Sequence, residues 1–411
     1  MTDALPVRLE DVEAAARRIS GVILRTPLIP APPIPGLPST GVFLKLENLQ
    51  RVGAFKLRGA TNRILSLSDA EAAHGVVAAS AGNHAQGVAY AARHRGIPAT
   101  IVMARGASPS KVSATRALGA RVVFHGGDFE EADAEALRLS KEEGFVYVHP
   151  FNDPEVIAGQ GTVALEILND LPTTRRIIAG VGGGGLLAGI TVAAKETNPA
   201  VEIVGVQPAG ADTLRASMDQ GRVVVGGRPN TFADGLATRH IGDRPFQIFE
   251  HYGIKAVSVD DRAIARAVFL LLENAKLLTE GAGAVSLAAV LAHPELLENG
   301  PTVLVISGGN LDPFLLDRIL WIGLSAEGRL LRIRAPLRDK PGQLAELLGI
   351  AAGLSANVRH IVHDREAPDR PPGEVTVEVE LEVRDATHAT EVLRAYHDKG
   401  WPVTTVTAGE Q

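Results

Sequence analysis

The chain has 411 residues, 45% hydrophobic and 21% charged, which supplies enough apolar material for folded cores and excludes global disorder. With 41 basic and 47 acidic side chains the formal charge is −6, so there is no electrostatic footprint for nucleic acid. Cysteine is absent, which excludes disulfides, cysteine-ligated zinc, iron–sulfur clusters and a thiol nucleophile, and is compatible with the reducing cytoplasm.

The opening segment, MTDALPVRLEDVEAAARR, is acidic and amphipathic with no apolar core, so it does not read as a signal peptide. No apolar run is long enough for a membrane span, and no membrane partner is expected. Through about residue 325, short apolar strands alternate with Ala-rich helices. Strands are expected at Val76–Ala79, Thr100–Met103, Arg121–Phe124, Ile177–Ala179, Ile203–Val206 and Val303–Ile306. Helices are expected at Ala85–Arg95, Ser110–Leu118, Ala132–Lys141 and Leu186–Glu196. Uniformly apolar strands joined by helices predict α/β architecture with parallel sheets covered on both faces. Ligands of such sheets bind beyond the C-terminal strand ends. After Gly328 the pattern changes: alternating strands at Arg329–Leu337 and Glu374–Val383, a strand at Asn357–His363, a polar Pro-rich loop from Asp364 to Gly373, helices from Gln343 and from Ala386, and a last strand at Pro402–Val406. The order β-α-β-β-α-β predicts a ferredoxin-like α+β module. The expected division is therefore a catalytic domain over 1–325 and a smaller domain over 329–411.

Four segments carry chemistry. Lys56, one of nine lysines, sits in GAFKLRGA; apolar neighbours desolvate its amine and favour a nucleophile, although a helix-start lysine with its stem buried would read the same way. The segment Ser80-Ala81-Gly82-Asn83-His84 lies between a buried strand and a helix, where backbone N–H groups suit a carboxylate; a plain N-capping turn is the alternative. Gly182-Gly183-Gly184-Gly185-Leu186, again between strand and helix, lets several N–H groups converge on a phosphate. With Gly180 it also fits G-x-G-x-x-G. However, the next strand ends Val206-Gln207-Pro208 without the acidic residue that a dinucleotide requires, so a lone phosphate is preferred. Ser307 in SGGN places a hydroxyl at a strand end.

A reactive lysine, a phosphate cradle, an anion loop and a neutral hydroxyl suit pyridoxal 5′-phosphate with an amino-acid substrate. The segments KLENLQRVGAFKLRGA, ASAGNHAQG, GVGGGGL and ISGGN, in this order, resemble the fold-type II pyridoxal-phosphate enzymes, and among them the threonine dehydratases (threonine ammonia-lyases). The resemblance covers about residues 5–325. It implies that Lys56 bonds to the cofactor, Asn83 faces its 3′-oxygen, and Gly182, Gly183, Gly184, Gly185 and Leu186 hold its phosphate. It also implies that Ser307 faces its ring nitrogen, and that Ser80, Ala81, Gly82, Asn83 and His84 take the substrate carboxylate. The implied reaction is β-elimination of water from L-threonine, giving 2-oxobutanoate and ammonia, with L-serine as an alternative substrate. Racemases of this fold carry a second serine in the anion loop; Ala81 stands there, so elimination without racemisation is expected. The racemase-like relatives also hold a divalent cation through two carboxylates. The matching positions are Gln207 and Thr213, so no divalent metal is expected. Arg58, the stretch from His149 to Asp153, and Glu280 are weaker candidates, each with a structural alternative: an ion pair for Arg58, a helix cap for Glu280.

Asp339-Lys340-Pro341-Gly342-Gln343-Leu344 resembles the start of an ACT regulatory domain. Joined to a threonine dehydratase, such a domain implies feedback inhibition by isoleucine through residues near 340–345 and 357–363, and a homotetramer; a purely dimerising module is the alternative. A nucleotide-dependent oxidoreductase and a decayed amino-acid sensor are the competing readings. Intact Lys56, Asn83 and Ser307 argue against decay.

Overall fold

The computed structural model describes residues 5–365, 371 and 373–406. Residues 1–4 of the opening segment, 366–370 and 372 of the Pro-rich loop, and 407–411 at the end of the second expected domain lie outside the described residues. The chain divides into two compact units, Met1–Pro313 and Phe314–Gln411.

The first unit holds two sheets. The larger has the strand order Leu28–Pro30, Val42–Leu46, Thr302–Ile306, Arg176–Gly180, Glu202–Pro208, Lys255–Val259. It is parallel except for the first pair. Every residue of Arg176–Gly180 and Thr302–Ile306 is buried, as expected of strands covered on both faces. The smaller sheet is parallel throughout, in the order Arg121–Phe124, Ala99–Met103, Val76–Ala79, Val146–Tyr147. The chain thus starts the larger sheet, leaves to build the smaller one, and returns. Strands Val42–Leu46 and Lys255–Val259 escaped the sequence reading because a polar residue, Lys45 and Ser258 respectively, interrupts each apolar run.

Three helices approach closely at glycines. A Cβ on Gly159, in the helix Pro154–Asp170, would stand 2.7 Å from both the Arg58 carbonyl oxygen and the Gly59 Cα, and one on Gly59 would stand 2.6 Å from the Val156 oxygen. On the next helix a Cβ on Gly189 would meet the Ile157 oxygen at 2.3 Å. The helix that begins at Lys56, Lys56–Ser66, is therefore seated backbone to backbone on Pro154–Asp170.

The second unit is a four-stranded antiparallel sheet in the order Asn357–Asp364, Glu374–Glu382, Leu330–Arg338, Thr404–Thr405, with helices Gln343–Gly353 and Ala386–Asp398. Alternate residues of Leu330–Arg338 are buried, because only one face of this sheet is covered. The helix Pro313–Ala326 groups with this unit: Trp321 Nε1 donates to Glu380 Oε2 at 3.1 Å, and the Arg332 guanidinium lies 5.6 Å from the Trp321 ring. The change of sequence pattern near 325–329 falls after that helix, since an apolar helix of the second unit reads like those of the first. Among the described residues no helix is long and apolar enough to cross a membrane.

Substituting Gly159→Ala should force two helices apart and cost roughly 1–3 kcal/mol through overpacking. Urea unfolding monitored by circular dichroism checks this.

Candidate active site

Lys56 opens its helix directly beside the strand end that carries Ser307. The Phe55 N–H donates to the Ser307 carbonyl at 3.1 Å, and Ala54 pairs with Gly308 in an isolated antiparallel bridge. Lys56 Nζ donates to the Pro150 carbonyl at 2.8 Å and lies 5.3 Å from the centre of the Phe55 ring. Burial lowers the amine to about 8, against the opposing pull of the Glu280 carboxylate. Part of the Lys56 population is thus a free amine near neutral pH, the state needed for bonding to an aldehyde.

Pro150 and Phe151 are consecutive, and they tie the lysine to the glycine loop. Pro150 accepts from Lys56, while the Phe151 ring occupies the place of a Gly183 side chain: a Cβ there would lie 2.2 Å from a ring carbon. A Cβ on Gly185 would stand 2.9 Å from the Phe151 oxygen, and one on Gly182 would stand 3.1 Å from the Gly235 oxygen. Gly184 has φ +94°, a left-handed turn that favours glycine, and caps the helix Gly185–Thr197 with no side-chain hydrogen bond. Only backbone can line this loop, and its N–H groups at a helix start suit a phosphate.

Asn83 stands between two partners. Its Nδ2 donates to Glu280 Oε1 at 2.6 Å, and its Oδ1 accepts from Asn310 Nδ2 at 2.7 Å; Asn310 Nδ2 also donates to the Val52 carbonyl at 2.8 Å. Glu280 is the N-cap of the helix Gly281–Ala292 but makes no side-chain capping bond. Its carboxyl turns toward Asn83 instead, and burial raises it to about 7, with the Asp234 carboxylate adding to the rise. Ser307 Oγ donates to the Ala282 carbonyl at 3.0 Å, which leaves its lone pairs as acceptors.

The anion loop keeps Ser80, Ala81 and Gly82 partly exposed. The helix Asn83–Arg95 starts without a side-chain cap, so neither Ser80 nor Asn83 takes the capping role; Ser80 Oγ accepts from the Gly82 N–H at 3.1 Å instead. The first N–H groups of the helix are left for an anion. The His84 side chain turns inward: its Nε2 donates to the Val148 carbonyl at 2.9 Å, and its Nδ1 is buried without a partner. Only the His84 backbone remains on the loop's side of the chemistry. Burial and the Lys56 charge lower His84 to about 3. His149 Nδ1 accepts from the Phe151 and Asn152 N–H groups at 3.2 and 2.9 Å, which places the ring proton on Nε2; burial and Lys56 lower it to about 4.

Arg58 takes its structural reading. Its Nε and Nη2 donate to Glu47 Oε2 and Oε1, both at 2.8 Å, and its Nη1 and Nη2 donate to Glu166 Oε1 and Oε2 at 2.7 and 2.9 Å. Lys45 Nζ completes the cluster by donating to Glu166 and to the Thr26 carbonyl. The side chains of Arg58 and Glu47 are fully buried, so Arg58 is not a phosphate ligand. Sequence reasoning missed this cluster, because four charges scattered over residues 45–166 have no local signature. It also missed the place of Phe151 under the cradle and of Asn310 beside Asn83.

At the position where racemase-like relatives would place a carboxylate ligand, Gln207 Oε1 accepts from the Thr213 and Leu214 N–H groups at 2.9 and 2.6 Å. Gln207 Nε2 and Thr213 Oγ1 are buried without partners. Among the described residues no group of three or more His, Asp or Glu side chains is placed to hold a metal ion.

A desolvated lysine beside a side-chain-free anion cradle, flanked by an oriented amide and a buried hydroxyl, fits a phosphate-bearing aldehyde cofactor. The sequence profile of the pyridoxal-phosphate dependent enzymes matches residues 19–308, and the chain belongs to this family. It is similar to an L-threonine ammonia-lyase of Thermotoga maritima, 47% identical over 97% of this chain and 99% of the relative. Among solved structures it is similar to the processed form of threonine deaminase isoform 2 from Solanum lycopersicum (TM-score 0.73, 37% identity, 76% of this chain and 92% of that one). It is also similar to a maize serine racemase (TM-score 0.71, 34% identity, 78% and 99%).

Replacing Arg58→Ala should leave the buried Glu47 carboxylate without its guanidinium and Glu166 with Lys45 alone, and cost about 3–5 kcal/mol, measured by urea unfolding. His84 and His149 stay neutral in the folded protein but protonate when unfolded. Their contribution to stability should therefore fall as pH drops from about 6.5 toward 4, because the unfolded state binds the extra protons. Melting temperature against pH checks this, and His84→Asn should flatten the acid limb.

Proposed function

We propose that the protein is an L-threonine ammonia-lyase that converts L-threonine to 2-oxobutanoate and ammonia. The observation that carries this reading is a complete Lys56 site in a chain that aligns along 97% of its length with a relative of that activity.

Lys56 would bond to the cofactor, the Gly182 to Leu186 loop would hold its phosphate, Asn83 would serve its 3′-oxygen, and Ser307 its ring nitrogen. Pyridoxal phosphate, when bound, supplies the electron sink that stabilises charge at Cα. The Ser80 to His84 loop binds the substrate carboxylate through N–H groups at the start of the helix Asn83–Arg95. Lys56 would take the Cα proton at Nζ, a role suited to an amine lowered to about 8. Ser307, a neutral hydroxyl, does not favour protonation of the ring nitrogen, so loss of the β-hydroxyl competes well against transamination. Ala81 offers no base on the opposite face, so elimination proceeds without racemisation. L-serine fits the same contacts with one methyl fewer.

The catalytic part is read as the first unit, Met1–Pro313, shorter than the 1–325 that the sequence pattern set apart. The segment 329–411 is read as an ACT-like module, with isoleucine as effector acting through residues near 340–345 and 357–363. Such an effector would shift the quaternary state of a homotetramer by binding one state better than the other. Absence of cysteine fits a cytoplasmic enzyme.

The test is 2-oxo acid release from L-threonine by the holoenzyme, with and without L-isoleucine. Release that isoleucine suppresses is the expected outcome. Release that isoleucine leaves unchanged would remove the regulatory reading and keep the lyase, and no release would overturn the lyase. Lys56→Ala should lower kcat by at least about a thousandfold, as expected when nucleophile and base are lost together. Substantial D-serine from L-serine would overturn the Ala81 argument.

A further inference from the structure

Asn83 can serve the cofactor only if its amide faces the right way, and nothing in its own rotamer decides that. Two neighbours do. Asn310 Nδ2, already held by the Val52 carbonyl, donates to Asn83 Oδ1 at 2.7 Å, and Glu280 Oε1 accepts from Asn83 Nδ2 at 2.6 Å. A flipped amide would set N–H against N–H on one side and oxygen against oxygen on the other, with Glu280 only 5% exposed. Gly308 makes the room for this carboxyl, since a Cβ there would meet Glu280 Oε1 at 2.2 Å. Glu280 makes no capping bond to its own helix, so its carboxyl is turned to Asn83.

We propose that Glu280 and Asn310 are positioning residues that fix the Asn83 amide with its N–H directed to the ligand, and that the ionisation of Glu280 switches how firmly Asn83 is held. The proposal rests on the reading of Asn83 as a cofactor contact. The anionic carboxylate can only accept, which keeps Nδ2 as the donor. The neutral acid can also present an O–H to Asn83 Oδ1, which permits the flip. The charged groups that act on Glu280 are Asp234 on the turn after Ala233, Lys111 on the helix Pro109–Ala117, and Lys56. Asp234 opposes ionisation and is itself ion-paired with Lys111, while the two lysines favour it. The carboxyl is raised to about 7 by burial, so the switch falls inside the working range of pH.

The experiment compares the parent holoenzyme with Glu280→Gln, Glu280→Ala and Asn83→Ala. The readouts are kcat/KM for L-threonine against pH, bound-cofactor absorbance against pH, and the dissociation constant for pyridoxal phosphate. In the parent, kcat/KM should fall below a midpoint near pH 7. Glu280→Gln keeps a carbonyl acceptor without a titrating proton, so this midpoint should vanish from both pH profiles. Glu280→Ala loses the acceptor, and cofactor affinity at pH 8 should drop by about tenfold, the scale of one lost buried hydrogen bond. The glutamine variant also serves as a folding control. Buried Glu280 resists ionisation while the unfolded chain ionises near 4.5, so the contribution of Glu280 to stability declines as pH rises from about 4.5 to 7, and the melting temperature of Glu280→Gln relative to the parent should rise across that window. A midpoint that persists in Glu280→Gln, together with parent-like cofactor affinity in Glu280→Ala, would overturn the proposal while an impaired Asn83→Ala kept the cofactor reading of Asn83. Parent-like cofactor affinity and absorbance in Asn83→Ala would overturn that reading and the proposal with it.

Discussion

Arg58 lies two residues beyond Lys56 on the same helical turn, and its guanidinium is gripped by two carboxylates from different parts of the chain. Glu47 follows the strand Val42–Leu46, and Glu166 comes from the helix Pro154–Asp170. Lys45 on that strand binds Glu166 as well, so two positive and two negative side chains close on themselves. A buried ion cluster of this kind adds little net stability over an apolar packing, because desolvation offsets most of the attraction. What it does supply is geometry: planar, bidentate bonds accept little displacement. The glycine contacts between the same two helices remove much of the remaining freedom, since Gly59 and Gly159 bring the backbones together and Gln160 accepts from the Gly59 N–H between them. The position of Lys56 follows from these two constraints.

Electrostatics in the site have a common cause. Lys56, His84, His149 and Glu280 are all displaced toward their neutral forms by burial, and each feels Lys56 or is felt by it. The two histidines beside the lysine carry no charge near neutral pH, so they do not repel a second cation. The amine is held between two influences, desolvation that frees it and Glu280 that keeps its proton. This is the balance expected of a group that must act both as nucleophile and as base. The arrangement also separates two kinds of polar group. Those that we propose to meet the ligand are backbone N–H groups, an amide and a hydroxyl. The strong charges are locked in the Arg58 cluster behind them.

The larger parallel sheet explains why these parts converge. Ser307 ends one of its central strands, and the glycine cradle follows the neighbouring strand Arg176–Gly180. The anion loop follows the strand Val76–Ala79 of the smaller sheet. Asn310 and Glu280 reach Asn83 across this junction, so the hydrogen bonds that orient the amide also join the two sheets.

Much of this was legible in the residue order. Runs such as Val303–Ile306 declare buried strands because a covered strand needs apolar side chains on both faces. Four glycines between a strand and a helix declare an anion cradle because no side chain fits there. Lys56, Asn83 and Ser307 carry a family resemblance strong enough to name the cofactor. The alternation in Leu330–Arg338 and Glu374–Glu382 declared a second, half-exposed sheet. Tertiary structure alone decided the rest. It split the apolar strands between two sheets, turned the His84 ring away from the loop that contains it, made Arg58 a clamp, and set Asn310 and Glu280 on either side of Asn83. Local sequence encodes periodicity and backbone freedom, and these are properties of neighbours in the chain. A buried charge cluster or an oriented amide depends on partners more than a hundred residues away, and only the folded packing brings them together.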